Sequence, residues 1–287
     1  MKNFRAYFLL FIAVVALCSC NLAKNNKALI SEAGKALVEE LDQKDGEAGA
    51  CDASAGAAEA DDKLVMQTSP KGTPEQILKR TGYVASYNKT TLLPNWVAWH
   101  LTAERTEGSA KRSGVDFAED TEVPEPRATD WDYYNSGYDR GHMCPAADNK
   151  WSKKAMEESF LFTNMCPQNG NLNRGDWNEM EMACRKWAKK YGDLYIVCGP
   201  ILYKGKHKTI GKNKVVVPEA FFKVVLRTGD NPQAIGFIYK NTSGNRPKDS
   251  YVNTVDEVER ITGIDFFPSL PDDVEKNVEA TADIANW

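Results

Sequence analysis

Two polar segments, Asp139–Asn149 (DRGHMCPAADN) and Thr163–Glu181 (TNMCPQNGNLNRGDWNEME), constrain the fold of this chain more than any other part of it. They gather a histidine, two arginines, several asparagines and a late pair of glutamates, and the second segment runs directly into a helix. That helix reads from Trp177 to about Tyr191, with Asp176 and Glu179 marking its start and Gly192 its stop. Its apolar stripe is Trp177, Met180, Cys184, Trp187, Ala188 and Tyr191, at the three- and four-residue spacing of a buried face. Glu181 falls on that stripe, four residues after Trp177 and three before Cys184. A carboxylate facing a core or cleft is costly unless a cation, an arginine or metal-bound water meets it. The spacing therefore predicts a loop-rich polar site packed against one face of a helix. The plain structural alternative is a stripe-edge glutamate bonded to a neighbouring arginine.

Strand signals dominate elsewhere. Asn95–Leu101 alternates, and Leu194–Cys198, Val215–Val217, Phe221–Arg227 and Ala234–Tyr239 are β-branched or aromatic runs ended by Gly, Pro or Asn. Thr254-Val255-Asp256-Glu257 is a capping box that opens a helix closed by Gly263. Strands and helices mixed without βαβ regularity predict an α+β fold, not a doubly wound sheet.

The N-terminus reads as a targeting segment. Lys2 and Arg5 precede an apolar run, Ala6–Leu17, too short to span a bilayer, and Leu17-Cys18-Ser19-Cys20 resembles a bacterial lipobox. Residues 1–19 are thus expected to be a lipoprotein signal, with Cys20 lipidated and the chain anchored to a bacterial envelope membrane. Residues 20–72 read as an acidic, alanine-rich tether that cannot bury enough apolar surface to fold. Residues 73–287 remain as one domain long enough for a substantial core. Of the net charge of −4, the first 44 residues contribute six bases against four acids, and residues 45–62 six acids and no base. Residues 63–287 are therefore neutral, and any anion-binding surface on them needs locally concentrated charge. Lys204–Lys214 (KGKHKTIGKNK) is one such concentration, equally readable as a phosphate-attracting rim or a solvated loop. An exported chain would oxidise its four domain cysteines, favouring the pairs Cys144–Cys166 and Cys184–Cys198; a zinc site lacks CxxC spacing.

The polar residues suit phosphodiester hydrolysis, which needs an attacking water, relief of charge on the phosphoryl oxygens and help for the leaving oxygen. His142 is the natural base, since neutral imidazole takes a proton near pH 7. His100 alternates within a strand and His207 lies in the lysine loop, so neither has catalytic surroundings. The Asn173 amide oxygen is a fair ligand for magnesium, with manganese a possible substitute, and Glu181 can hold metal-bound water. Arg140 can fork onto a phosphate.

In Asp139-Arg140-Gly141-His142 with Pro145-Ala146, in Asn164 with Pro167-Gln168, and in Leu172-Asn173 with Trp177 and Glu181, the chain resembles the DNA/RNA non-specific endonucleases of the ββα-metal (His-Me finger) class. The likeness continues through Asn95-Trp96-Val97-Ala98, Gly199-Pro200, Thr254–Glu257, Thr262-Gly263 and Leu270–Asp273, covering nearly all of Tyr83–Val274. It implies a central, mostly antiparallel sheet flanked by helices. It also implies His142 as general base, Asn173 as direct magnesium ligand, Glu181 on metal-bound water, Arg140 on phosphate and Asn164 in positioning the site. Arg112 matches the family loosely as a substrate contact. Arg174, where the family often has glutamine, adds positive charge beside the metal loop. The expected partners are DNA and RNA, met through backbone phosphates and hence with little sequence preference. A nucleic-acid-binding envelope protein without turnover is the alternative, and phosphodiester hydrolysis on a small nucleotide or a lipid headgroup a weaker one.

Overall fold

A computed structural model describes residues 63–287, so the expected leader, Cys20 and most of the tether lie outside the described residues. In chain order the strands are β1 (Gln76–Lys79), β2 (Val84–Asn88), β3 (Leu93–Leu101), β4 (Asp139–His142), β5 (Met165–Gln168), β6 (Leu194–Ile201), β7 (Lys208–Ile210), β8 (Val215–Val217), β9 (Ala220–Arg227), β10 (Gln233–Lys240) and β11 (Val252–Asn253). Seven of them form the central sheet in the order β1-β2-β3-β6-β9-β10-β11, every neighbour antiparallel. β4 pairs with β5 and β7 with β8 as separate two-stranded ribbons. The fold is the expected α+β class with a large antiparallel sheet flanked by helices. Residues upstream of Thr73 pack with the sheet as well: Val65 is buried, and Thr68 bridges Asp265.

Period-two alternation divides the sheet into two buried faces. On β9, Phe221 and Val225 enter one core with Val97, Trp99, Ile196 and Phe237, covered by the long helix Asp176–Tyr191 through Trp177, Met180, Cys184 and Trp187. Their neighbours Phe222, Val224 and Leu226 point the other way, joining Trp96, Val197, Val255, Val258 and Val278 under the helices Val255–Thr262 and Asp272–Glu279. Each fully buried Val, Leu or Phe contributes roughly 1.5–3 kcal/mol, so both layers hold the sheet. With both faces covered, the central strands have no solvent side, which decides the fate of the one lysine on β9, below.

The long helix runs as its stripe predicts, from Asp176 to Tyr191, and ends on Gly192 at φ 90°. Asp176 does not cap it. Its carboxylate instead accepts from the backbone of Asn245 and Arg246 and from the Tyr251 hydroxyl, tying the helix start to the 244–251 loop. The Thr254–Glu257 capping box is half-formed: Thr254 accepts from Glu257 N–H at 3.2 Å, while the Glu257 carboxylate pairs with Arg260.

The expected disulfides are absent. Cys144, Cys166, Cys184 and Cys198 are all free and buried. Cys144 Sγ accepts from Asn149 Nδ2 at 3.4 Å and Cys198 Sγ donates to the Met143 carbonyl at 3.3 Å, so these sulfurs have polar partners other than each other. Burial pushes the Cys184 thiol up to about 12 and Cys198 up to about 11, which keeps them protonated and unreactive. Inferring pairs from compartment failed because a thiol inside a packed core is a small apolar side chain first.

Candidate active site

The DRGH segment is a strand rather than a loop. β4 pairs with β5 in the register Asp139↔Gln168 to His142↔Met165, and the chain then enters the short helix Gly170–Arg174 and the long helix, a β-β-α unit. Gly141 is required there: a Cβ would lie 2.6 Å from the Cβ of Gln168 on the paired strand. Gly141→Ala forces the two strands apart, and overpacking of this kind costs about 1–3 kcal/mol. A lowered thermal midpoint together with reduced cutting is the expected result.

His142, the last residue of β4, is wedged between aromatic rings, with Phe160 edge-on at 4.9 Å and Phe117 at 5.6 Å between centroids. Its carbonyl accepts from Trp177 Nε1 at 3.3 Å, which couples the strand to the long helix. Nε2 is buried without a partner, leaving Nδ1 as the ring nitrogen open to the cleft. Burial, with Arg112 nearby, pushes the imidazole down to about 3. The ring is therefore a neutral acceptor at physiological pH. Asn164 stays out of the cleft, fully buried. Its Oδ1 accepts from Cys144 N–H at 2.9 Å, and its Nδ2 donates to the carbonyls of Cys144 and Ser159 at 2.9 and 2.8 Å, clamping the backbone just past His142.

Asp139 orients the amide that matters. Asn173 Nδ2 donates to Asp139 Oδ2 at 3.0 Å, which leaves Asn173 Oδ1 uncommitted beside the cleft. Arg174 meets the other oxygen of Asp139 at 2.6 Å but is 73% exposed, so that pair is weak and the guanidinium stays at the rim. Arg140 donates from Nε to Asp130 at 2.6 Å and lies over Phe117 and Tyr133. Only its NH1 lacks a protein partner, so the expected fork onto phosphate is reduced to one free arm unless Asp130 yields.

Glu181 lines the same cleft with no ion pair within 4 Å among the described residues. The neighbouring arginine, Arg185, pairs instead with buried Asp148 at 2.9 Å. Desolvation, reinforced by Asp148, pushes Glu181 up to about 7 against the opposing pull of Lys223 and Arg185. The donor set suits a hard divalent ion: one free amide oxygen, one carboxylate, and room for water in a cleft of about 660 Å³.

The charge missing from the domain's net balance is here. Lys111, Arg112, Arg140, Lys150, Arg174 and Arg185 all border the cleft, against the single acid Glu181. Arg112 lies over the Phe160 ring at 5.4 Å and so joins the site as loosely expected. The lysine-rich stretch 204–214 does not: Lys208 rests on Tyr138 and His207 pairs with Glu219 at 3.1 Å. His100 is likewise away from the cleft, paired with Asp193 at 2.8 Å. Sequence reasoning missed Arg185, although its place four residues after Glu181 puts it on the same helix face. It also missed Lys223 on β9, buried behind the cleft with its ammonium 4.3 Å from the Trp177 ring and 5.1 Å from Trp99.

Comparison with known proteins agrees with this geometry. The family model described as DNA/RNA non-specific endonuclease matches residues 61–273. The mitochondrial nuclease EXOG of Danio rerio is 39% identical over 206 residues, 66% of this chain and 60% of its own. Human mitochondrial endonuclease G is 34% identical over 209 residues, covering 68% of this chain and 70% of that protein. Nuclease C1 of Cunninghamella echinulata is 36% identical over 222 residues, covering 72% and 88%. The solved EndoG/EndoGI complex superimposes with a TM-score of 0.66 at 31% identity, over 69% of this chain and 87% of the other. The chain thus spans about 60% of the length of the EXOG relatives it matches. These relatives overturn the bacterial-envelope location and its lipid anchor: those named by compartment are mitochondrial. The leader misled because a short basic and apolar N-terminus is an address read by sorting machinery, and the fold beneath it carries no trace of that address.

Proposed function

This chain belongs to the DNA/RNA non-specific endonuclease family, and we propose that it hydrolyses phosphodiester bonds in DNA and RNA with little sequence preference. The observation that carries the proposal is a neutral imidazole, His142, opening into the same cation-rimmed cleft as the free Asn173 amide oxygen and the unpaired Glu181 carboxylate. A magnesium ion held through Asn173, with manganese able to replace it, would supply Lewis-acid relief of charge at the phosphoryl oxygens.

The protein's own groups do the rest. Lys111, Arg112, Lys150 and Arg174 draw the strand in by its phosphates, contacts that carry no base information. His142 Nδ1 takes the proton of the attacking water, a task for which its lowered basicity keeps it unprotonated before reaction. Glu181 orients water in the cleft and holds it as an acceptor. Arg140 presents NH1 to the charge that develops on phosphate, and Asn164 keeps the turn after His142 rigid.

Plasmid DNA and RNA digestions, with magnesium and with EDTA, test this. Cutting in magnesium that EDTA stops is the expected result. DNA retarded on a gel but left intact in magnesium would instead favour a binding protein without turnover, since the basic cleft alone suffices for that.

A further inference from the structure

On the sheet face opposite the cleft, three carboxylates converge where the C-terminal helices meet. Asp256 and Glu259 lie one turn apart on the helix Val255–Thr262, and Glu279 ends the helix Asp272–Glu279. One oxygen from each lies within 4.8 Å of the others. Acidic clusters on exposed helices are common, but one member here is not exposed. Glu279 is only 6% accessible, and its Oε1 is buried without any hydrogen-bond partner. A buried carboxylate oxygen left bare costs free energy that a structure does not ordinarily tolerate unless something meets it.

No protein cation does so. Among the described residues none of the three acids has an ion-pair partner; Arg260, the base on the same helix, is committed to Glu257 through two bonds. Glu259 spends Oε1 on the Phe266 backbone N–H at 2.8 Å, which fixes its carboxylate in the cluster. Glu275 and Asp265 add further negative charge around the cluster.

We propose that Asp256, Glu259 and Glu279 form a calcium site that staples the last two helices of the domain together, separate from the nuclease cleft. Three carboxylate oxygens gathered within 4.8 Å of one another suit a hard cation, and calcium's flexible shell of six to eight oxygens accommodates such an irregular set more readily than magnesium's near-ideal octahedron. Exposed Asp256 leaves one side open for the waters that complete a flexible coordination shell.

The test counts bound calcium by titration calorimetry in the full-length chain carrying Asn173→Ala, which removes the ligand proposed for the cleft. One calcium per chain is expected, and a thermal midpoint raised by about 5 °C in 1 mM calcium if the dissociation constant is near 10 µM. Adding Glu279→Gln, which keeps the shape of the protonated acid, should abolish both. Asp256→Asn, at an exposed position, should do the same if Glu279→Gln does not fold. Unchanged binding in these variants, or none in Asn173→Ala, overturns the site, and an equal shift with magnesium overturns its assignment to calcium. Glu279→Gln alone should cut plasmid in magnesium at the parent rate, so failure here is distinct from failure of the nuclease proposal.

Discussion

His142→Ala should lose plasmid cutting by ~10³-fold, within the range a single general base contributes, while still folding and retarding DNA. The fold survives because the ring's neighbours Phe117 and Phe160 pack on each other at 5.2 Å, and the strand register rests on backbone bonds. The same variant carries a second signature. His142 titrates at about 3 in the folded chain, below its ordinary 6.5, so between those values the unfolded chain binds more protons and this group lowers stability as pH falls. Glu181, raised to about 7, acts in the opposite sense: its folded form holds the extra proton, and its contribution to stability declines as pH rises from 4.5 to 7. Measured in EDTA, His142→Ala should therefore gain on the parent by about 1 kcal/mol for each pH unit from 6.5 down to 4, a value below the full linkage slope because the ring is partly open to the cleft. Parallel pH profiles for the two proteins would show that His142 is an ordinary exposed histidine, and parent-rate cutting would remove it from the mechanism.

What the sequence showed depended on whether a residue's neighbours in space were also its neighbours in the chain. The long helix was legible because its stripe and its closing glycine are local signals, and so was the anomaly of Glu181 on that stripe. β6, β8, β9 and β10 were legible as β-branched runs. β4 and β5 were not: DRGH and MCPQ are four residues each, polar or broken by proline, with no alternation to read. The cationic rim was hidden for another reason. Its six bases come from positions between 111 and 185 that only the fold gathers, while the one dense run of lysines, 204–214, ended up elsewhere. Orientation was also out of reach. Asp139 is visible in the sequence as part of a motif, but its role in turning the Asn173 amide so that Oδ1 faces the cleft exists only in three dimensions.

Lys223 is the residue that sequence reasoning most plainly misjudges, because a lysine in a strand ordinarily marks the solvent face. In FFKVVLR it alternates with Phe222 and Val224 and so shares the face of Phe221 and Val225, a face buried under the long helix. Burial alone would push its ammonium down, yet Cys198, Cys184, Glu181 and Asp148 outweigh burial and leave it raised, so it stays charged inside the core. There it is a cation behind buried Asp148 and half-buried Glu181, in ion-pair contact with neither, and only Asp148 is ion-paired, with Arg185. Lys223→Met keeps the volume and the contacts to Trp99 and Trp177 but removes the cation that favours ionised Glu181, a loss of about 1.4 kcal/mol for each pKa unit by which that carboxyl rises. The deficit should be largest at pH 8 and shrink towards pH 5, because Glu181, without the lysine that lowers it, escapes by taking up a proton. The same release should carry the acid limb of the cutting rate to more alkaline pH, since Glu181 works as an acceptor only when ionised. Lys223→Arg, if its larger head is accommodated, should restore the limb. A limb unmoved in Lys223→Met would mean that the lysine is packing alone and sets nothing in the cleft.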